Sequence, residues 1–119
     1  MDSLSDIMLQ IKMFCSVRDW DQFHNPKDLS IGLSTEANEL LDLFRFKSEE
    51  DMRTMLMDQE KRKQIGQELA DVFFFLLRFA QLYDFDLLQE MKEKMFINDN
   101  KYPIESARGS NLKYNEKRL

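Results

Sequence analysis

The sequence predicts an all-α fold, a bundle of four to five helices whose cover is completed by oligomerisation. Three observations predict it. Gly is only 3 and Pro 2 of the 119 residues, while Leu, Met, Phe, Glu, Lys and Gln are abundant, a balance that favours helix. Apolar residues recur at helical spacing and nowhere alternate in the β-branched manner of strands. The run VFFFLLRFA, Val72 to Ala80, is apolar on nearly every side, with Arg78 its only interruption. A helix that is hydrophobic all round must be covered all round, and four short helices in one small chain do not easily do that. The length suits one domain over 1–119, with 101–119 as an extended C-terminal tail.

Ser3 or Ser5 caps a first helix with apolar positions at Ile7, Ile11, Phe14 and Cys15. The break at His24-Asn25-Pro26 sets Asn25 as the cap and Pro26 as the first position of a second helix, running to about Phe46. Ser48 followed by Glu49, Glu50 and Asp51 starts another, since acids favour a first turn. From Met52 to Lys63 the chain is polar and Met-rich, either a short helix or a mobile arm. A third main helix covers roughly Lys63 to Leu82, and a fourth about Asp86 to Asn98.

The formal charge of -5 gives no global sign of a nucleic-acid partner. The tail from Lys101 carries a net +3 against -8 for the rest, which suits a polyanionic ligand. Cys15 stands alone, so neither an intrachain disulfide nor a cysteine-based zinc site is possible. The longest apolar run, Val72 to Leu77, is far too short for a membrane span, and MDSLSD lacks the features of a signal peptide. The expectation is a cytoplasmic protein with no membrane partner.

Two acidic pairs carry the chemistry. Glu36 sits among Leu29, Leu33, Leu40 and Leu43 at same-face spacing, with Glu39 one turn on; Glu68 and Asp71 repeat the pattern among Ile65, Val72 and Phe75. A three-residue step leaves two side chains about 60° apart on a helix. If the helices pack antiparallel, the pairs face each other as a four-carboxylate cluster. Acidic pairs on solvated faces are common by chance, yet two pairs embedded in apolar surroundings repel unless something positive holds them. A hard cation with oxygen ligands is the economical answer, and Mg²⁺ fits an all-carboxylate site, with Mn²⁺ as a substitute. A di-iron bundle is disfavoured because His24 is the only histidine. Metal-assisted phosphate chemistry remains. A non-catalytic helical oligomer that binds nucleotide or protein is the competing class.

Glu36-x-x-Glu39 followed by Glu68-x-x-Asp71 resembles the signature of the all-α MazG-like nucleoside triphosphate pyrophosphohydrolases. The flanks RDWDQFHNPKDL, ELADVFFFLLR, NKYPIE and GSNLKYNE look like the dCTP pyrophosphatase branch, in order over about Arg18 to Glu116. The resemblance implies hydrolysis of a (deoxy)nucleoside triphosphate, dCTP or a related or modified one, to monophosphate and pyrophosphate. It implies Glu36, Glu39, Glu68 and Asp71 as Mg²⁺ ligands, with Glu36 or Glu39 as general base. It assigns Lys94 and Asn98 to the phosphates, with Lys101 and Tyr102 beside them. Trp20, Phe46 and Phe75 align with aromatic positions around the base, where the last two stand in place of Trp and Tyr; Ile11 replaces a His. His24 either contacts the base or phosphate or caps the turn before Pro26. A homotetramer built as a dimer of dimers, or at minimum a dimer, is implied as well.

Overall fold

The computed structural model describes residues 3–113 and 115–116. Among them are six α-helices and no strand. The chain divides into two compact units, one up to Asp84 and one from Phe85 onward.

In the first unit α1 spans Leu4–Val17, a short 3-10 turn spans Asp21–Phe23, and α2, α3 and α4 span Pro26–Phe44, Glu49–Met57 and Gln59–Leu82. Each start has a local cause. Ser3 and Asp6 form a reciprocal capping box at α1. Asn25 accepts from the Asp28 amide, and Pro26 takes the first helical position of α2. Ser48 and Asp51 form a second capping box at α3. Asp58 ends α3 and begins α4, its carboxylate accepting from the Lys61 amide at 2.9 Å. The segment left open by sequence as helix or arm is therefore helix, and α4 starts a turn earlier than its apolar pattern. That first turn is capped rather than packed, so periodicity does not reveal it.

α2 stops at Phe44 rather than Phe46. Arg45 turns to extended geometry and Phe46 adopts φ 65, the left-handed conformation of a helix-ending residue.

α2 and α4 form the principal helix pair, and α1 and α3 pack on α4. The pair is antiparallel: Gly32 meets Phe75, Glu36 and Glu39 meet Glu68, and Asp42 and Leu43 share a cavity with Gln64 and Ile65. Gly32 matters here, because a Cβ would fall 2.6 Å from Phe75 Cδ1. Its hydrogen lets an aromatic ring lie on the α2 backbone.

The buried apolar residues are Cys15, Leu29, Ile65, Leu77 and Ala80. Arg78, which looks in the sequence like a break in an apolar run, is 1% exposed and belongs to this core. Meanwhile Leu69, Phe73 and Leu76 of the same helix remain exposed.

In the second unit α5 spans Leu87–Lys101, capped by Asp86, and α6 spans Ile104–Ala107. α5 thus runs three residues past Asn98 and takes in Lys101, the first residue of the expected extended tail, which after Pro103 forms a further helical turn. Pro103 ends α5 because it has no N–H to continue it, and its carbonyl then accepts from the amides of Ser106 and Ala107. The end of the tail, 117–119, lies outside the described residues. No described helix is long and apolar enough to cross a membrane.

Candidate active site

The helical rotation puts each acidic pair on one face, and the antiparallel packing of α2 on α4 brings the faces together. Carboxylate oxygens of Glu36, Glu39 and Glu68 lie within 4.8 Å of one another. Glu36 and Glu68 are half-buried, and Oε2 of each is sealed from solvent with no hydrogen-bond partner among the described residues. An acceptor oxygen cut off from water and left unpaired is unfavourable, and more so when it is charged. Asp71 stands outside the triangle, yet its charge reaches both Glu36 and Glu68.

The electrostatics follow from this crowding. Loss of hydration pushes Glu36 above the ordinary carboxylate range, and contact with Glu39 and the charges of Glu39, Asp71 and Glu68 act in the same direction. Glu68 is raised by the same causes: loss of hydration first, then the charges of Glu39 and Asp71, then contact with Glu39. Two carboxylates touch favourably only when they share a proton, so at neutral pH the cluster calls for a cation. The donors are all oxygens, a set that suits a hard divalent ion. The residues present fit Mg²⁺.

A cavity of about 500 Å³ opens one helical turn away along α2 and α4, closed on its third side by α3. Asp42, Lys47, Asp51, Thr54, Lys61 and Gln64 line it over a floor of Leu43, Met55 and Ile65.

On the other side of the carboxylates lies a row of rings. Trp20 meets Phe14 edge-on at 5.5 Å, Phe14 meets Phe74 at 6.2 Å, and Phe74 meets Phe75 at 5.4 Å. Trp20 and Phe75, far apart in sequence, thus end one aromatic row, and Phe75 sits one turn from Asp71. Ile7, Gln10 and Ile11 join Phe14 and Phe74 around an adjoining apolar hollow. Phe14 and Phe74 were not singled out in the sequence, where they read as ordinary core. Phe46 is not part of the row. It is 91% exposed, and the Arg45 guanidinium lies 4.8 Å from its ring centre.

His24 is held by a network that the sequence reading missed. Its Nδ1 accepts from Arg78 Nε at 2.9 Å, while the same guanidinium pairs with Asp21 and donates to Gln81 Oε1 at 2.7 Å. Loss of hydration and the Arg78 charge lower the His24 pKa, against an opposing pull from Asp21. The signal was available: an arginine inside an apolar run needs partners, and an acid and a histidine flank the only tryptophan.

The residues assigned to phosphate lie in the second unit. Lys94, Asn98 and Lys101 share one face of α5 by their spacing, and Tyr102 follows at its end. Lys101 and Tyr102 also line a small cavity of about 150 Å³ with Ser106, Leu112 and Lys113.

The MazG-like family profile matches residues 31–116, a stretch that contains all four acids. The chain belongs to this family. Over 114 residues it is 35% identical to dCTP pyrophosphatase 1 of Mus musculus, covering 96% of this chain and 67% of that protein. The Homo sapiens dCTP pyrophosphatase 1 is likewise 35% identical over 114 residues, with the same coverage. Among solved structures, a pyrophosphatase from Archaeoglobus fulgidus aligns with a TM-score of 0.79 at 27% identity, covering 87% of this chain and 94% of that one. The all-α fold and the family resemblance are both borne out.

Proposed function

We propose that this chain is a nucleoside triphosphate pyrophosphohydrolase that converts dCTP, or a related or modified deoxynucleoside triphosphate, to the monophosphate and pyrophosphate with Mg²⁺. The observation that carries the reading is the triangle of Glu36, Glu39 and Glu68, with two buried oxygens left unpaired. In this reading the four acids, Asp71 included, hold the metal. When bound, the metal neutralises phosphate charge and lowers the pKa of water, chemistry that a carboxylate cluster alone cannot supply.

The chain's own residues do the rest. Glu39, exposed at the open side of the triangle, is placed to accept a proton from an attacking water; Glu36, more enclosed, is the alternative base. The row from Trp20 to Phe75 offers flat faces for the base, and stacking there excludes water from one side of the nucleotide. Lys94, Asn98, Lys101 and Tyr102 are assigned to the phosphates, Phe46 and His24 to the base, on resemblance. Cover for the exposed Leu69, Phe73 and Leu76 comes from a second copy, in a dimer or a dimer of dimers. Sedimentation of the intact protein tests that assembly, and a monomer at micromolar concentration would refute it.

The deciding experiment is incubation with dCTP and Mg²⁺, followed by separation of dCMP and pyrophosphate, then a panel of common and modified triphosphates. Glu39→Ala and Asp71→Ala should abolish turnover while helical content is kept. Folded protein that is inactive on every triphosphate would instead indicate a non-catalytic nucleotide-binding oligomer.

A further inference from the structure

We propose that Arg78 is a positioning residue for substrate binding: from inside α4 it fixes the 3-10 turn, and through that turn the Trp20 indole. The proposal rests on the reading of Trp20 as a base-stacking residue.

All three guanidinium nitrogens are engaged. Nη2 pairs with Asp21, Nε donates to His24 Nδ1 at 2.9 Å, and Nη1 donates to Gln81 Oε1 at 2.7 Å. Gln81 in turn donates to the Met8 carbonyl of α1 at 2.6 Å. Asp21 and His24 bracket the turn Asp21–Phe23, so one side chain pins both its ends.

Trp20 is the residue on which the turn opens. Its N–H donates to the Cys15 carbonyl at 3.0 Å, and its own carbonyl accepts from Phe23 at 2.9 Å. The indole itself is 39% exposed and meets only the edge of Phe14 among the described rings. A single ring contact leaves the direction of the indole to be set in good part by the backbone under it. Asp19, immediately before, stands in the left-handed region at φ 56, so the chain between α1 and the turn is bent at the tryptophan's base.

A buried charge is a poor way to gain stability, since an apolar side chain of similar size often does as well. What an arginine adds is direction, because its planar fork holds several partners at set angles. The same helix carries Glu68, Asp71 and Phe75 on the turns before Arg78. α4 thus acts as a ruler, setting the indole at a fixed distance from the carboxylates.

Trp20 is the only tryptophan, so its fluorescence reports on the turn alone. The test uses the intact protein with dCTP and Mg²⁺, comparing wild type, Asp21→Ala, Arg78→Lys, Trp20→Ala and the Asp21→Ala/Trp20→Ala double variant. Asp21 has a largely exposed side chain, so Asp21→Ala, which removes the acceptor, decides the matter even where Arg78→Lys does not fold. The expected result is a red-shifted, more easily quenched Trp20 emission and a KM raised at least fivefold in Asp21→Ala, with kcat within twofold. Trp20→Ala should raise KM similarly, and adding Asp21→Ala to it should raise KM no further. Unchanged emission in Asp21→Ala, or additive effects in the double variant, overturns the proposal. An unchanged KM in Asp21→Ala beside a raised one in Trp20→Ala overturns it while leaving the stacking reading intact. An unchanged KM in Trp20→Ala removes the stacking reading itself.

Discussion

His24 and Gly32 carry more than a sequence shows. The folded state keeps His24 below its ordinary value of 6.5, so it favours the neutral ring, whose Nδ1 is an acceptor. That contribution is present above the ordinary value and is lost as pH falls through it, when Nδ1 would become a second donor against Arg78. Measured against His24→Gln, whose amide oxygen still accepts, the urea unfolding midpoint of wild type should therefore drop between pH 7 and pH 5. At Gly32 the added methyl of Gly32→Ala meets the Phe75 ring. Overpacking costs about 1–3 kcal/mol, and the gain in helix propensity returns about 1 kcal/mol. A net loss of about 1 kcal/mol is expected in thermal unfolding, with a rise in KM as the ring is displaced. The meeting of Glu36, Glu39 and Glu68 was legible at this scale because their spacing and apolar neighbours are local facts. Arg78 and Gly32 were not, since each matters through a partner more than forty residues away in sequence.

Among the elements, the end of α2 carries the clearest local conflict. Phe46 holds φ 65 where glycine is the usual helix-ending residue, and its ring is almost wholly exposed. A non-glycine residue there costs about 1–2 kcal/mol, partly offset by the chain entropy that glycine adds to the unfolded state. Phe46→Gly should consequently stabilise the protein by about 0.5–1 kcal/mol in thermal unfolding, while weakening substrate binding if the ring meets the base. A stability gain with unchanged KM would remove Phe46 from the site. The element starts were legible where a cap residue precedes an apolar stripe, as at Asn25, or a first turn of acids, as at Ser48. They were misjudged where a cap stands without a stripe, as at Asp58, or where a helical turn follows a proline, as at Ile104.

At the level of the whole molecule, the carboxylate cluster makes stability depend on protons and, under the proposed function, on metal. Glu36 and Glu68 titrate above the ordinary carboxylate value of 4.5 in the folded state. Their contribution is fullest below that value and is lost as pH rises through the raised range, because the folded state then holds crowded charges. Mg²⁺ should replace the lost protons. The melting temperature should therefore rise with added Mg²⁺ much more at pH 7.5 than at pH 4.5, and chelation should reverse it. Equal shifts at both pH values would disconnect the metal from these acids. That pairing of α2 with α4 was legible from two acidic pairs, whereas the closure of the third side by α3 was not. α3 has a further consequence. Bounded by Ser48 and Asp58, it caps its own N-terminus, while the Leu56 carbonyl in its last turn accepts from Arg62 of α4, the helix it chiefly leans on. Such a segment can exchange its amide hydrogens without opening the core, as an independent cooperative unit. It is where this chain can lengthen, shorten or be rewritten while the carboxylate-bearing pair stays in register.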